Sequence, residues 1–205
     1  PLCGAATVPF HQDTRRPYRR CPSCALVSVP RAHHLSPEAE KAFYDLHDNR
    51  IDDPGYRRFL SRAAEPLRAR LDPPARVLDV GCGPGPALAA MLTEAGYRVA
   101  TWDPFYAPDP APLARTWDGV TCTEVVEHAA DPAHLWALLL ALRRPGGVLV
   151  VMTKRWRDRE AFAGWHYIRD PTHVSFHHAD TLGWIADRYG VTVELVGKDV
   201  AVFGG

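Results

Sequence analysis

The stretch VLDVGCGPG at residues 77–85 constrains the fold of this chain more than any other. An apolar run typical of a β-strand is followed by glycines at alternate positions, Gly81, Gly83 and Gly85. A helical pattern of residues begins at Ala87. Glycine lets the backbone approach a ligand without a Cβ atom in the way, and the N-terminus of the helix adds partial positive charge at the same place. The stretch therefore predicts one half of a nucleotide-binding βαβ unit.

The glycine spacing and the aspartate at position 79 resemble motif I of the class I S-adenosylmethionine (SAM)-dependent methyltransferases. The resemblance extends over residues 76–205 and implies an α/β fold. The expected fold is a Rossmann-like sheet with helices on both faces, in which the glycine loop surrounds the methionine part of SAM. The candidate cofactor-binding residues are Asp79, Gly81, Cys82, Gly83, Gly85, Asp103, Phe105 and Thr123.

Asp103 ends the second predicted strand and lies 24 residues after Asp79. In nucleotide-binding βαβ units, an acidic residue at about 20 residues' distance binds the ribose hydroxyls. We assign Asp103 that role, and Phe105 is a candidate for stacking on adenine. Only 14 residues, four of them proline, separate Asp103 from Asp118, where the family places a helix and an edge strand. We therefore expect a sheet that is shortened in its third-strand region.

The sequence TEVVEH at residues 123–128 follows the fourth predicted strand. If it turns as a helix, Glu124, Glu127 and His128 share one face, because residues three and four apart are neighbours on a helix. Two carboxylates held this close to an imidazole favour a cation between them. Mixed carboxylate and imidazole ligands suit Mn²⁺, Fe²⁺, Co²⁺ or Zn²⁺ better than Mg²⁺.

This hexapeptide resembles a motif of two methyltransferase groups, the ubiquinone-pathway O-methyltransferases and the RNA 3′-terminal 2′-O-methyltransferases. The RNA enzymes use a further, distant histidine, and the resemblance places His173 in the corresponding position, with His166 and His177 as substitutes. We expect Glu124, Glu127, His128 and His173 to be candidate metal ligands and the first three to be catalytic. A metal-free site with His128 as the general base, or a structural role for this cluster, stays open.

The N-terminal segment carries a C-x-x-C pair, Cys21 and Cys24, and a separate Cys3. Two such pairs about 17 residues apart would form a zinc ribbon, because thiolates on tight turns can converge on one ion. The pattern predicts a structural zinc site at these three cysteines. A further cysteine is expected just before Pro1, in a natural N-terminus that has been trimmed; otherwise the fourth ligand is His11, His33 or His34. Reduced thiols without metal remain the alternative.

We divide the chain into a zinc-ribbon-like segment at 1–35, a helical lead-in at 36–72 and a SAM-binding domain at 73–205. Aromatic and histidine side chains of the lead-in face either the ligand or the core: Tyr44, His47 and Tyr56. Residues 154–165 form a polar insertion that is a candidate substrate lid. Three aromatic residues within it or after it either stack on a flat substrate or pack: Trp156, Trp165 and Tyr167.

Composition limits the partners of this chain. Lys and Arg total 24 and equal Asp and Glu, so no overall charge attracts nucleic acid or a membrane surface. We find no apolar run near the ~20 residues of a membrane span and no signal peptide, and expect a cytoplasmic protein. The expected activity is metal-assisted O-methylation of a small molecule. The alternatives are an RNA methyltransferase that uses four arginines at positions 15, 16, 19 and 20, a metal-independent C- or N-methyltransferase, and a non-catalytic SAM-binding protein.

Overall fold

The computed structural model describes residues 1–46 and 49–204. The strands are β1 (Val8–Gln12), β2 (Pro17–Arg20), β3 (Val27–Ser28), β4 (Arg76–Val80), β5 (Arg98–Trp102), β6 (Trp117–Thr123), β7 (Arg143–Met152), β8 (Ser175–Phe176), β9 (Thr192–Val196) and β10 (Val200–Gly204). The α-helices are α1 (Pro37–Tyr44), α2 (Pro54–Arg68), α3 (Ala87–Glu94), α4 (Pro132–Leu142), α5 (Arg159–Ala163) and α6 (Ala179–Tyr189).

Six strands form the central sheet in the order β5-β4-β6-β7-β10-β9. The first four are parallel, and β10 lies antiparallel between β7 and β9. The predicted shortening is confirmed. Residues 104–116, all of which the structure describes, add no strand to this sheet but contain a short 3-10 helix, and β5 is its edge. Four prolines in that stretch explain this, because proline lacks the N–H group that a sheet strand needs.

Helices cover both faces of the sheet, as the sequence predicts. On β7, Val148 and Val150 point to one face, while Leu149 and Val151 point to the other. The first face packs against α2 and α3, and the second against α4 and α6. All four valine and leucine side chains are buried, which is expected for a strand covered on both sides.

The N-terminal segment forms its own sheet, of order β1-β2-β3-β8. Its last strand, Ser175–Phe176, comes from the far end of the chain and pairs antiparallel with β3. A third hydrophobic core lies between this sheet and the segment that follows β7. Its members are Tyr18, Ala25, Val27, Val29, Trp156, Phe162, Tyr167, Ile168, Val174 and Phe176. Strand pairing and packing thus join the cysteine-bearing segment to the C-terminal half.

The candidate lid at residues 154–165 takes part in this third core. Trp156 and Phe162 are buried, and Phe10 of β1 lies 5.1 Å and 5.2 Å from their ring centroids. Packing therefore accounts for these aromatic residues. Trp165 packs at the edge of the same core.

Among the described residues, no helix is both long enough and apolar enough to cross a lipid bilayer.

Replacement of Phe176 by alanine tests the coupling between the N-terminal sheet and the rest of the molecule. The side chain is fully buried in the third core, so its loss should lower the free energy of unfolding by about 3–5 kcal/mol. Denaturant unfolding measures this value. Leu195→Ala on the exposed face of β9 is the control, and it should change stability by less than about 0.5 kcal/mol. Equal effects of the two substitutions would show that the third core contributes little.

Candidate functional site

A cavity of about 770 Å³ opens at the carboxyl ends of β4, β5 and β6. Ligands of open α/β sheets bind at this edge, because the loops that leave the parallel strands converge there. The glycine loop, the turn after β5 and the turn after β6 form its base. Helices α1 and α2 contribute Tyr44 and Tyr56 to the opposite wall.

The glycine loop has a backbone that other residues do not readily adopt. Gly81 and Gly83 have φ angles of +75° and +65°. A Cβ atom on Gly81 would lie 2.3 Å from Cγ2 of Val125, and one on Gly85 would lie 1.7 Å from the carbonyl oxygen of Asn49. These glycines are therefore required by close packing and by conformation. Gly81, Cys82 and Gly83 line the cavity.

Two predicted acidic residues reach the cavity from adjacent strand ends. Asp79 is buried, accepts a hydrogen bond of 2.7 Å from Thr121, and has its pKa raised to about 6 by burial. Asp103 follows β5, and its two carboxylate oxygens accept hydrogen bonds from the backbone N–H groups of Gly83 at 3.0 Å and Phe105 at 2.8 Å. The carboxylate of Asp103 thereby links the glycine loop to the turn after β5.

Aromatic side chains form one wall of the cavity. The ring of Tyr44 lies 6.0 Å from Phe105 and 5.2 Å from the imidazole of His128, measured between centroids. Tyr56 and Thr123 also line the cavity. His47, another candidate from the lead-in, lies outside the described residues.

The turn after β6 differs from the predicted one. The N–H of Glu124 donates a 2.8 Å hydrogen bond to the carbonyl of Met152, which continues the pairing of β6 with β7, and its φ is +53°. Helical backbone therefore begins only at Val126 and forms a single 3-10 turn, Val126–His128. The prediction that Glu124, Glu127 and His128 share one helical face is wrong for this reason.

Three donor groups do converge, from Glu127, His128 and His173. Their ligand atoms lie within 4.8 Å of one another, whereas Glu124 is not part of this group. The backbone brings the distant histidine into place. The N–H of Val174 donates to the carbonyl of Glu127 at 2.8 Å, and the hydroxyl of Ser175 donates to the carbonyl of Ala129 at 2.9 Å. Residues 127–129 and 173–175 thus run side by side.

The hydrogen bonds of the cluster leave one ligand atom free on each residue. Glu127 is fully buried and accepts a hydrogen bond from the hydroxyl of Tyr167, while its Oε2 has no partner within the described chain. The same holds for Nδ1 of His128. Nδ1 of His173 is paired with the carbonyl of Tyr167 at 2.8 Å, which leaves Nε2 of that ring as the lone-pair nitrogen, 3.7 Å from Oδ2 of Asp170.

Burial favours the ligand forms of these side chains. Desolvation lowers the pKa of His128 to about 4, so its imidazole is neutral at pH 7 and can donate a lone pair. Glu124 lines the cavity beside the cluster; burial and the nearby carboxylate of Glu127 raise its pKa to about 8, and its Oε1 has no partner among the described residues. Glu124, His128 and His173 therefore line the cavity, and Glu127 lies buried behind them.

The two substitute histidines lie elsewhere. His177 is buried and lies 3.0 Å from the indole N–H of Trp136, which donates to it. His166 lies 3.0 Å from the ammonium group of Lys154. Neither belongs to the cluster that the described residues form with Glu127.

The cysteines of the N-terminal segment also converge. The Sγ atoms of Cys3, Cys21 and Cys24 lie within 4.8 Å of one another, and all three thiols are free. Burial would raise the pKa of Cys21, but backbone N–H groups and the thiol of Cys3 donate to its sulfur and lower the pKa to about 7. Burial, together with the neighbouring sulfurs, raises the pKa of Cys24 to about 12.

None of the three histidines proposed as the fourth ligand belongs to the cysteine cluster that the described residues form. His11 stacks on Tyr18 at 5.7 Å, and the Nε2 of His34 pairs with the carbonyl of Val29 at 2.9 Å. His33 is exposed on the loop that follows β3.

Sequence reasoning missed the part that Tyr167 plays in the cluster. Its hydroxyl donates to Glu127 and its carbonyl pairs with His173, so it touches two of the three donor residues. The sequence analysis left two roles open for Tyr167, stacking on a substrate and packing in the core. Its separation of 40 residues from Glu127 leaves no local pattern that could have indicated the contact.

Comparison with known proteins agrees with this architecture. The family model described as "Methyltransferase domain" matches residues 50–196. Curated relatives include the ubiquinone biosynthesis O-methyltransferase of Xanthomonas axonopodis pv. citri, 32% identical over 56% of this chain and 59% of that protein. The corresponding enzyme of Xanthomonas campestris pv. campestris is 32% identical over 52% of this chain and 55% of that protein. The chain thus spans less than two thirds of the length of these relatives.

Solved structures show the same fold at low identity. A Burkholderia thailandensis 1,6-didemethyltoxoflavin-N1-methyltransferase with bound S-adenosylhomocysteine covers 95% of this chain and 96% of its own, with a TM-score of 0.58 at 19% identity. The magnesium protoporphyrin IX methyltransferase of Synechocystis, also with bound S-adenosylhomocysteine, covers 73% of this chain and 81% of its own, with a TM-score of 0.52 at 19% identity.

The sheet order, the glycine loop and the family model lead to one assignment. The chain belongs to the methyltransferase-domain family and has the fold of the class I SAM-dependent methyltransferases.

Proposed function

We propose that this chain transfers the methyl group of SAM to a hydroxyl oxygen of a small molecule, with a divalent metal ion held by Glu127, His128 and His173. The observation that carries the proposal is the convergence of three donor groups within 4.8 Å beside the cavity. The curated relatives are named as O-methyltransferases, which agrees with an oxygen acceptor.

The residues at the strand ends fit SAM. A cavity of about 770 Å³ has room for SAM and part of a second small molecule. Positive φ angles at Gly81 and Gly83 let the backbone lie against the methionine part. Asp103 would hold the ribose hydroxyls, and Phe105 would lie against the adenine. Asp79, Cys82, Gly85 and Thr123 would complete the cofactor site.

The donor set fits a divalent transition metal. Two imidazoles and one carboxylate are the ligands expected for Mn²⁺, Fe²⁺, Co²⁺ or Zn²⁺. A bound cation would lower the pKa of a substrate hydroxyl. It would also compensate the buried Glu127 carboxylate, whose Oε2 has no partner among the described residues. Glu124 would line the acceptor side of the site.

Methyl transfer from a sulfonium is an in-line displacement, so the protein mainly has to orient two reactants and exclude water. Tyr44 and Phe105 close the cavity over the glycine loop. Tyr167 fixes Glu127, and the peptide carbonyl of Tyr167 fixes the ring of His173. In the metal-free alternative, the unpartnered Nδ1 of His128 would accept the hydroxyl proton.

The arginines of the N-terminal segment favour a small-molecule acceptor over RNA. Arg16 is buried and donates to backbone carbonyls of residues 168–171. Arg15 donates to the carbonyl of Arg169 and Arg19 to Thr7, while Arg20 lies over Trp156. These guanidinium groups are engaged in the fold, which weakens the case for a phosphate-binding patch.

For the cysteine cluster we propose a structural zinc ion. Three thiols with Sγ atoms within 4.8 Å, two of them buried, are a donor set that Zn²⁺ prefers. Cys21 and Cys24 also contribute to the core beneath α4 and α6. Zinc at this place would tie the N-terminal sheet to the central one.

Gly81→Ala should weaken SAM binding. The positive φ costs a non-glycine residue about 1–2 kcal/mol, and the added Cβ meets Val125, so we expect the Kd for SAM to rise roughly tenfold or more. Isothermal titration calorimetry measures it. The control is Gly183→Ala in α6, where a Cβ meets open space, so the Kd should be unchanged and the Tm should not fall, because alanine favours a helix interior over glycine. Wild-type affinity in Gly81→Ala would contradict the proposed cofactor loop.

His128→Ala and Glu124→Ala should abolish turnover while SAM binding survives, because both line the cavity on the acceptor side of the glycine loop. His173→Ala and His128→Ala should also lose Mn²⁺ binding, measured by electron paramagnetic resonance of the free ion. The control His166→Ala should retain both, since this residue lies outside the cluster. Loss of turnover without any Mn²⁺ binding by the wild type would favour His128 as a metal-free base.

Zinc at the cysteine cluster should be measurable by elemental analysis, with one equivalent in the wild type and less in Cys21→Ser. Chelation should then lower the Tm, because the ion would join two sheets. Cys82→Ser is the control for zinc content, since Cys82 lies in the glycine loop. An unchanged thermal transition after chelation would refute a structural ion.

A further inference from the structure

The side chain of Arg16 crosses from the N-terminal segment to the loop that carries His173. We infer that Arg16 is a positioning residue for His173, and that the N-terminal sheet is therefore part of the methyl-transfer site. The inference rests on the proposed function, because the role of His173 belongs to that proposal.

The guanidinium group of Arg16 donates hydrogen bonds to three backbone carbonyls of the loop that carries His173. Nη1 of Arg16 donates to the carbonyl of Pro171 at 2.9 Å, and Nη2 donates to the carbonyls of Ile168 at 3.1 Å and Asp170 at 2.7 Å. Arg16 is only 5% exposed. Backbone carbonyls that lose their donor are costly, so this side chain stabilises the conformation of residues 168–171.

The N-terminal sheet holds the guanidinium group from the other side. Nε of Arg16 donates to the hydroxyl of Tyr18 at 3.1 Å, and that hydroxyl donates to Oδ2 of Asp13 at 2.8 Å. Oδ1 of Asp13 accepts from the backbone N–H of Arg16 at 2.8 Å. The guanidinium group of Arg16 is therefore held in position by Tyr18 and Asp13, unlike that of a flexible surface arginine.

The loop conformation sets the direction of the His173 ring. Its Nδ1 is paired with the carbonyl of Tyr167, the residue directly before the three carbonyls that Arg16 holds. The ring centroid lies 4.7 Å from that of His128. Groups that orient a metal-binding histidine commonly change metal affinity when removed, although they never touch the metal.

Other connections to the N-terminal segment do not use Arg16. Arg15 donates to the carbonyl of Arg169 at 2.7 Å, and the hydroxyl of Tyr18 lies 3.2 Å from the carbonyl of Ile168. Strand β8 pairs with β3, and the carbonyl of Val174 accepts from the N–H of Val29 at 2.9 Å. Loss of Arg16 should therefore loosen residues 167–173 and leave β8 in place. This separates a positioning role from general stabilisation of the sheet.

The experiment compares Arg16→Ala with Arg19→Ala. Arg19 is a matched control because its side-chain hydrogen bonds go to Thr7 within the N-terminal sheet. In metal-free protein, hydrogen exchange of residues 167–173 should be faster in Arg16→Ala and unchanged in Arg19→Ala. Residues 76–83 should exchange as in the wild type in both variants.

Mn²⁺ affinity and kinetics supply the second readout. Arg16→Ala should bind Mn²⁺ about 10–100-fold more weakly and lose kcat, with the Kd for SAM unchanged. Methylguanidinium added to Arg16→Ala should restore part of the Mn²⁺ affinity, whereas urea should not. Arg16→Lys keeps the charge but lacks the planar guanidinium group. Its Mn²⁺ affinity should therefore lie between those of the wild type and Arg16→Ala.

Two results would overturn the inference: wild-type exchange over residues 167–173 in both Arg16 variants, or equal effects of Arg16→Ala and Arg19→Ala. If the wild type binds no Mn²⁺ but exchange still responds to Arg16, the proposed metal fails and the positioning role stands. If Mn²⁺ binds through His173 and exchange does not respond to Arg16, the proposed metal site stands and the positioning role fails.

Discussion

The candidate site depends on two backbone hydrogen bonds of Val174. Its N–H donates to the carbonyl of Glu127, and its carbonyl accepts from the N–H of Val29. One residue therefore joins the turn after β6 to the N-terminal sheet. Because peptide hydrogen bonds are directional, this double pairing fixes the register of the segment, and the register brings His173 beside Glu127 and His128.

A buried carboxylate imposes the second constraint. Glu127 has no solvent exposure, and in the described structure only one of its oxygens has a partner, the hydroxyl of Tyr167. A charge without compensation is expensive in a protein interior, so a site of this kind requires a cation or a proton. Burial lowers the pKa of His128 to about 4, so this neighbouring imidazole is neutral at pH 7 and can donate a lone pair.

The cavity and the donor cluster are built from different parts of the backbone. The glycine loop and Asp103 belong to strand ends of the central sheet, which is covered on both faces and rigid. The donor groups belong to turns that the N-terminal sheet supports from outside. The glycine loop and the donor cluster are therefore held by different parts of the fold. The cysteine cluster, which contributes to the core beneath α4 and α6, lies in that same supporting segment.

Local patterns in the sequence determined the parts of the fold that depend on near neighbours. The strand, glycine loop and helix at residues 77–95 and the shortened sheet after Asp103 follow from periodicity, glycine and proline. The sequence also named His173 from a resemblance. Only the tertiary structure decided that Glu124 is held in the sheet by Met152 and that Glu127 is buried against Tyr167. It also placed Arg16 across the His173 loop. These contacts join residues 28 to 155 positions apart, so they arise from packing and strand register, which no short stretch of sequence encodes.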